Sequence, residues 1–173
     1  EVESTYSVEL SGSVNMGLKY SDDHEINTTS LYLRNTDDET AINDFFNENR
    51  EKSGGSGFRG YRITYEQRDL TVNQMTGTHF LGASTRELLP FGADLLEKIP
   101  EDLKFDWFIS DAVAETDIPN EVNIQAQTVT DPITGAVMSS TVGLDTSSAS
   151  YRFTELRDDV KSWGWTVSLP IEF

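Results

Sequence analysis

From Thr5 to Tyr20 the chain alternates without a break. Tyr6, Val8, Leu10, Gly12, Val14, Met16, Leu18 and Tyr20 share one parity, and Ser7, Glu9, Ser11, Ser13, Asn15, Gly17 and Lys19 fill the other. Successive side chains of an extended strand point to opposite faces, so a repeat of two predicts a strand with one apolar and one polar face. The run is far longer than the usual strand of about 5–6 residues.

The same rhythm closes the chain: Trp163, Trp165, Val167, Leu169, Ile171 and Phe173 alternate with Gly164, Thr166, Ser168, Pro170 and Glu172. Shorter alternating stretches lie between these ends. They are Leu31 to Leu33, Tyr61 to Tyr65, Leu103 to Ile109, Val122 to Gln127, Ala136 to Leu144 and Ala149 to Phe153. Together they predict an all-β protein of about eight antiparallel, up-and-down strands in a single domain, residues 1–173. Asp131 to Gly135, Asp145 to Ser148 and Arg157 to Val160 are rich in turn formers and predict tight hairpin connections.

Two stretches leave the rhythm. Asp37 to Lys52 places Ala41, Ile42, Phe45 and Phe46 at helical spacing and runs into the flexible Ser53-Gly54-Gly55-Ser56-Gly57. Ser84 to Pro100 carries Leu88, Leu89, Leu95, Leu96 and Ile99 on one side, interrupted by Pro90 and Gly92. Helical inserts are therefore expected near 37–52 and 84–100, packed on a rim or sheet face or serving as a lid or plug.

A C-terminal strand that alternates apolar residues and ends on Phe173 resembles the last strand of small, porin-like outer-membrane β-barrels of bacteria, where that pattern is the insertion signal read by the assembly machinery. The resemblance covers Trp163 to Phe173 together with the general alternation. It implies a closed antiparallel barrel in the outer membrane of a Gram-negative bacterium. Pro170 departs from the pattern, because proline lacks a ladder donor and belongs at a strand end or edge.

Geometry points the same way. Tyr6 and Tyr20 are separated by roughly 35 Å along the membrane normal at ~3.3 Å per residue and a tilt of ~40°. Aromatic rings at both ends of an apolar band suit the two headgroup levels. The membrane-facing candidates are Tyr6, Tyr20, Trp163, Trp165 and Phe173. On the opposite parity Glu9, Lys19, Arg62, Glu66 and Arg152 are the lumen-facing candidates, accompanied by Lys104, Asp106 and Glu172, and eight strands leave room only for interdigitating side chains.

Composition narrows the functional classes. The formal charge is −17, from 30 acidic and 13 basic residues, so there is no basic stripe to displace counterions from a nucleic acid. Cysteine is absent, which removes disulfide scaffolds and thiolate metal sites. No apolar run approaches the ~18 residues of a spanning helix, a test that strands escape. Glu1 in place of Met agrees with removal of a signal peptide.

Catalytic patterns are missing: no nucleophile elbow, HExxH, P-loop or dinucleotide fingerprint occurs. His24, in a polar loop after the first strand, is the one candidate base for a rim-located hydrolase or acyltransferase, and His79 carries no assigned role. Asp22-Asp23-Glu25, Asp37-Asp38-Glu39 and Asp158-Asp159 offer hard oxygens for weak divalent-cation binding without EF-hand spacing, and no other cofactor is implied.

The expected function is an outer-membrane protein acting as a narrow pore or as a structural or adhesive surface protein, with the lipid bilayer as partner and self-association into oligomers as a further expectation. The alternative is a soluble β-sandwich or calyx that binds an apolar ligand or builds a tube or filament.

Overall fold

The computed structural model describes residues 2–48, 50, 54–88, 99–100, 102–144 and 146–169. In chain order these form β1 (Val2–Ser21), β2 (His24–Phe45), β3 (Ser56–Phe80), α1 (Ala83–Leu88), β4 (Lys104–Thr130), β5 (Val137–Val142) and β6 (Ala149–Ser168). The strands make one antiparallel sheet in the order β1-β2-β3-β4-β5, with β6 also paired to β4.

β5 and β6 share one edge of β4. The register runs from Thr130 opposite Val137 to Ala126 opposite Val142. The next residue of β4, Gln125, donates its N–H to the Ser148 carbonyl at 2.8 Å. β6 thus begins where β5 stops, residues 143–144 and 146–147 lie outside both strands, and the six strands fill five positions. Because neighbours are antiparallel, β1 and β6 run in the same direction, and a seam joining them directly would be parallel.

The chain divides into two compact units, each drawing a segment from β1, β2, β3, β4 and β6. The first consists of Glu1–Leu10, Arg34–Arg68 and Glu115–Arg157, and the second of Ser11–Leu33, Asp69–Ala114 and Asp158–Phe173. Among the described residues the only buried hydrophobic ones are Ala41 and Ala126, both in the first unit.

The all-β, antiparallel expectation holds; the count of eight strands does not. Leu31 to Leu33 lies inside β2 and Tyr61 to Tyr65 inside β3, while Leu103 to Ile109 and Val122 to Gln127 belong to the single strand β4. Ala149 to Phe153 and the Trp163 stretch likewise merge into β6. β4 and β6 pair with one another through the polar segments, and charge pairs lie across that pairing. The polar segment of β4 that breaks the alternation faces the polar segment of β6, with Arg157 bound to Glu115 at 2.6 Å and Lys161 4.0 Å from Asp111. Neither segment looks like a strand alone, yet each supplies the other's partners. Arg157 to Val160 is consequently strand, not turn.

The helix expected over 37–52 is also absent: β2 continues to Phe45. Ser7 donates to Asp37 at 2.6 Å, Arg59 binds Asp44 at 2.6 Å, and the Phe45 and Phe58 rings stack with centroids 5.4 Å apart. These partners on β1 and β3 favour the extended chain over an isolated helical turn. The second insert is helical over Ala83–Leu88; Leu89, Pro90, Gly92, Leu95 and Leu96 lie outside the described residues, as do Ser53 and the terminal Pro170 to Phe173.

The turn predicted at Asp131 to Gly135 forms. The Asp131 carboxylate accepts the N–H of Ile133 at 2.7 Å and of Thr134 at 3.1 Å, and Gly135 turns the chain with φ 71°. The N–H groups of Thr134 and Ile133 hold the Asp131 carboxyl below its usual range.

Three glycines make room for aromatic rings. Trp107 covers Gly77, Phe46 covers Gly57, and the Phe108 ring stands 2.6 Å from where a Gly164 Cβ would be. A ring lying over a strand glycine fills the missing side-chain volume and keeps the pleat packed. Gly164→Val should therefore lower the unfolding free energy by about 1–3 kcal/mol in urea titrations. Gly12→Val, where a Cβ would meet nothing within 4 Å, should leave it unchanged or slightly raised.

Candidate functional site

The side-chain contacts divide the sheet into two faces. Tyr20, His24 and His79 share one: Tyr20 and His24 rings lie 6.4 Å apart, and His24 and His79 5.1 Å. The even residues of β1 belong to this face. The Ser7–Asp37 bond and the Arg62–Glu39 ion pair lie on the other.

The membrane-facing candidates Tyr6, Tyr20, Trp163 and Trp165 are all exposed, between 63% and 75%; Phe173 lies outside the described residues. Val8, Leu10, Val14, Met16 and Leu18 are exposed as well. The face is not apolar throughout. Between its greasy strands, β2 and β3 carry hydrogen-bonded polar pairs: Ser30 donates to Asn73 and Tyr32 to Asp69, each at 2.7 Å. These pairs have the parity of His24 and His79, so β2 and β3 interrupt the apolar band.

The lumen-facing candidates fare differently from one another. Arg62 pairs with Glu39, Glu66 with Arg68 at 2.7 Å, and Arg152 with Glu121 at 2.5 Å. Lys19 binds Asp22 in the following turn at 2.9 Å. Glu9 sits on β1 at the parity of Ser7. Lys104 and Asp106 pair at 2.9 Å, and Thr78 donates to the same carboxylate at 2.8 Å. Each pair lies within one of the two units.

The acidic clusters bring no ion-binding cage together: Asp22 faces Lys19, Asp37 accepts from Ser7, and Asp23 holds α1. Among the described residues there is no group of three or more His, Asp or Glu side chains placed to hold a metal ion.

The two histidines, far apart in sequence, meet within the second unit, where the β1–β2 turn reaches the end of β3. The chain begins at Trp107, whose indole N–H donates to His79 Nε2 at 2.9 Å. That nitrogen must accept, so the neutral His79 carries its proton on Nδ1 and donates it to His24 Nδ1, 3.0 Å away. His24 then bears its proton on Nε2, which faces the Thr85 hydroxyl at 3.1 Å. Thr85 in turn directs its hydroxyl toward Asp23 Oδ2 and the Phe80 carbonyl, both at 3.0 Å, while Asp23 also accepts the Thr85 N–H at 2.8 Å.

One directional chain of hydrogen bonds thus links β4, β3, β2 and the start of α1. Both imidazoles fit it only when neutral. Both nitrogens of His24 are engaged, and the Thr85 hydroxyl also reaches Asp23 and the Phe80 carbonyl. His79 has no role legible in the sequence, because its partners His24 and Trp107 come from other strands.

Burial pushes the His79 imidazole below its ordinary range, the neighbouring His24 adds to this, and Asp106 opposes it. A histidine lowered in the folded state contributes stability fully above its unfolded value, near 6.5, and loses it as pH falls through the folded value. NMR titration should show His79 protonating below pH 6.5 and the cluster weakening there. Trp107→Phe frees Nε2 to take a proton and should raise the His79 midpoint in the same titration. An unmoved midpoint would contradict the assigned proton order.

No protein-family model matches the chain, and a search of curated proteins also finds no match.

Proposed function

We propose that this chain is an outer-membrane β-barrel protein that serves as a narrow pore or a structural surface protein. The observation that carries the reading is the exposure of one long apolar face with no apolar interior beneath it. Tyr6, Val14, Met16, Leu18, Tyr20, Trp163 and Trp165 are all more than half exposed, whereas among the described residues the buried hydrophobic ones are Ala41 and Ala126. A soluble fold gains its stability by removing such side chains from water, at about 25 cal/mol per Å². Hydrocarbon supplies that phase to a strand whose backbone is already paired.

The polar face fits the same reading, since charges of both signs are paired along it and suit an aqueous interior. Polar pairs interrupt the apolar face on β2 and β3, and Arg157 and Lys161 do so in the middle of β6 at the parity of Trp163 and Trp165. In this reading lipid contact falls to β1, the Trp163–Val167 end of β6 and the Phe105–Ile109 end of β4, and the patch between them to a second copy of the chain. Closing the sheet with antiparallel seams throughout takes an odd number of further strands, which makes additional polypeptide part of the proposal.

A self-assembling sheet is the second reading, favoured by the two long strand edges, β1 and β6, that have no partner on their outer sides.

Separation of source cells into outer-membrane and soluble pools is the direct test. Recovery in the membrane pool, with migration on a gel that shifts on heating, is the expected result; recovery in the soluble pool overturns the membrane reading. For protein folded into liposomes, Val14→Arg should cost about 2–4 kcal/mol near the bilayer midplane. Ser13→Arg, on the other face, should cost far less. Single-channel events in planar bilayers then separate a pore from a purely structural barrel.

A further inference from the structure

The polar face of the first unit contains a concavity of about 400 Å³ lined by Asn43, Phe45, Arg62, Asn123, Gln125 and Ser150, among others. Its position follows from the change of partner along β4, from β5 to β6. Where β6 takes over the edge of β4, Ser147 and Ser150 come beside Asn123 and Gln125. The size lies within the range of small-molecule sites, roughly 300–1,000 Å³.

The chemistry of the lining is specific. The Phe45 ring lies over Gly60, 3.7 Å from where a Cβ would stand, and stacks on Phe58. It therefore offers an apolar plane beside three primary amides. Asn43, Gln125 and Ser150 make no side-chain hydrogen bond among the described residues, whereas Asn123 makes a long one, 3.4 Å, to Glu121. Each amide presents a donor and an acceptor side by side, the complement of two neighbouring hydroxyls, each of which both gives and takes a hydrogen bond.

Charge decides between ligand classes. Arg62 is the one charged side chain lining the concavity among the described residues, and its guanidinium is ion-paired with Glu39. An anion would have to break that pair. A neutral ligand instead finds a guanidinium already fixed in orientation.

We propose that this concavity is a binding subsite for a neutral, hydroxyl-rich ligand, a saccharide, whose C–H face lies on Phe45 while its hydroxyls bond to Asn43, Asn123 and Gln125. The subsite rests on the geometry of the first unit and not on the membrane reading, so the two fail separately.

The test is an NMR titration of the folded full chain, in a detergent without a sugar headgroup, with maltotriose as probe. Saturable shifts of the Asn43, Asn123 and Gln125 side-chain amide signals are expected. Because these side chains are exposed, Gln125→Ala and Asn123→Ala keep the fold, checked by circular dichroism, and each should weaken binding several-fold. Their combination should weaken it tenfold or more, about 1.4 kcal/mol. Asn15→Ala, on β1, should leave affinity unchanged. Absence of saturable shifts, shifts confined to other residues, or saturation by inorganic phosphate but not by maltotriose each overturns the proposal. Membrane recovery without sugar binding removes the subsite alone, and sugar binding by a soluble protein removes the membrane reading alone.

Discussion

A strand with one apolar face must have that face covered, and the described residues do not cover it. The even residues of β1 and the tryptophans of β6 stand exposed, while among the described residues burial of hydrophobic ones stops at two alanines. Backbone pairing can hold long strands in register, but it does not remove side chains from water; the hydrophobic effect that ordinarily dominates folding has to be satisfied by something outside the described sheet. The proposed membrane setting follows from that requirement.

Within the sheet, polar cross-strand pairs take over part of the organising role of a core. Arg157–Glu115 and Lys161–Asp111 join segments of β4 and β6 whose composition resembles loop, and Arg62–Glu39 and Arg59–Asp44 tie β3 to β2. Exposed ion pairs are individually weak, about 0–1 kcal/mol, so their importance here is register more than stability. Aromatic rings over Gly57, Gly77 and Gly164 add the packing that the charges do not. At the β1–β2 turn the histidine chain joins these themes: Trp107 both covers Gly77 and orients His79.

The surroundings of His24 are visible only in the fold. A loop histidine judged from its neighbours Asp22, Asp23 and Glu25 looks solvated and free. In the fold its two nitrogens are spent on His79 and Thr85, residues no local window contains. The amide-lined concavity was likewise hidden, since Asn43, Asn123 and Gln125 are unremarkable polar positions until β2 and β4 place them on one face.

Alternation alone determined the class of structure: a strict period of two over Thr5 to Tyr20 and again near Trp163 is incompatible with a helix, and the turn at Asp131 to Gly135 follows from its own residues. Those features are local, set by the direction of successive side chains and by a carboxylate reaching N–H groups two and three residues ahead. Strand length, strand number and sites were decided only by tertiary pairing. Phe45 has Phe58 to stack on, the polar middle of β6 has Glu115 and Asp111 to bind, and β5 and β6 share a single edge. Each of these depends on a partner distant in sequence, and a polar or helix-like segment adopts the strand when that partner completes its hydrogen bonds and packing.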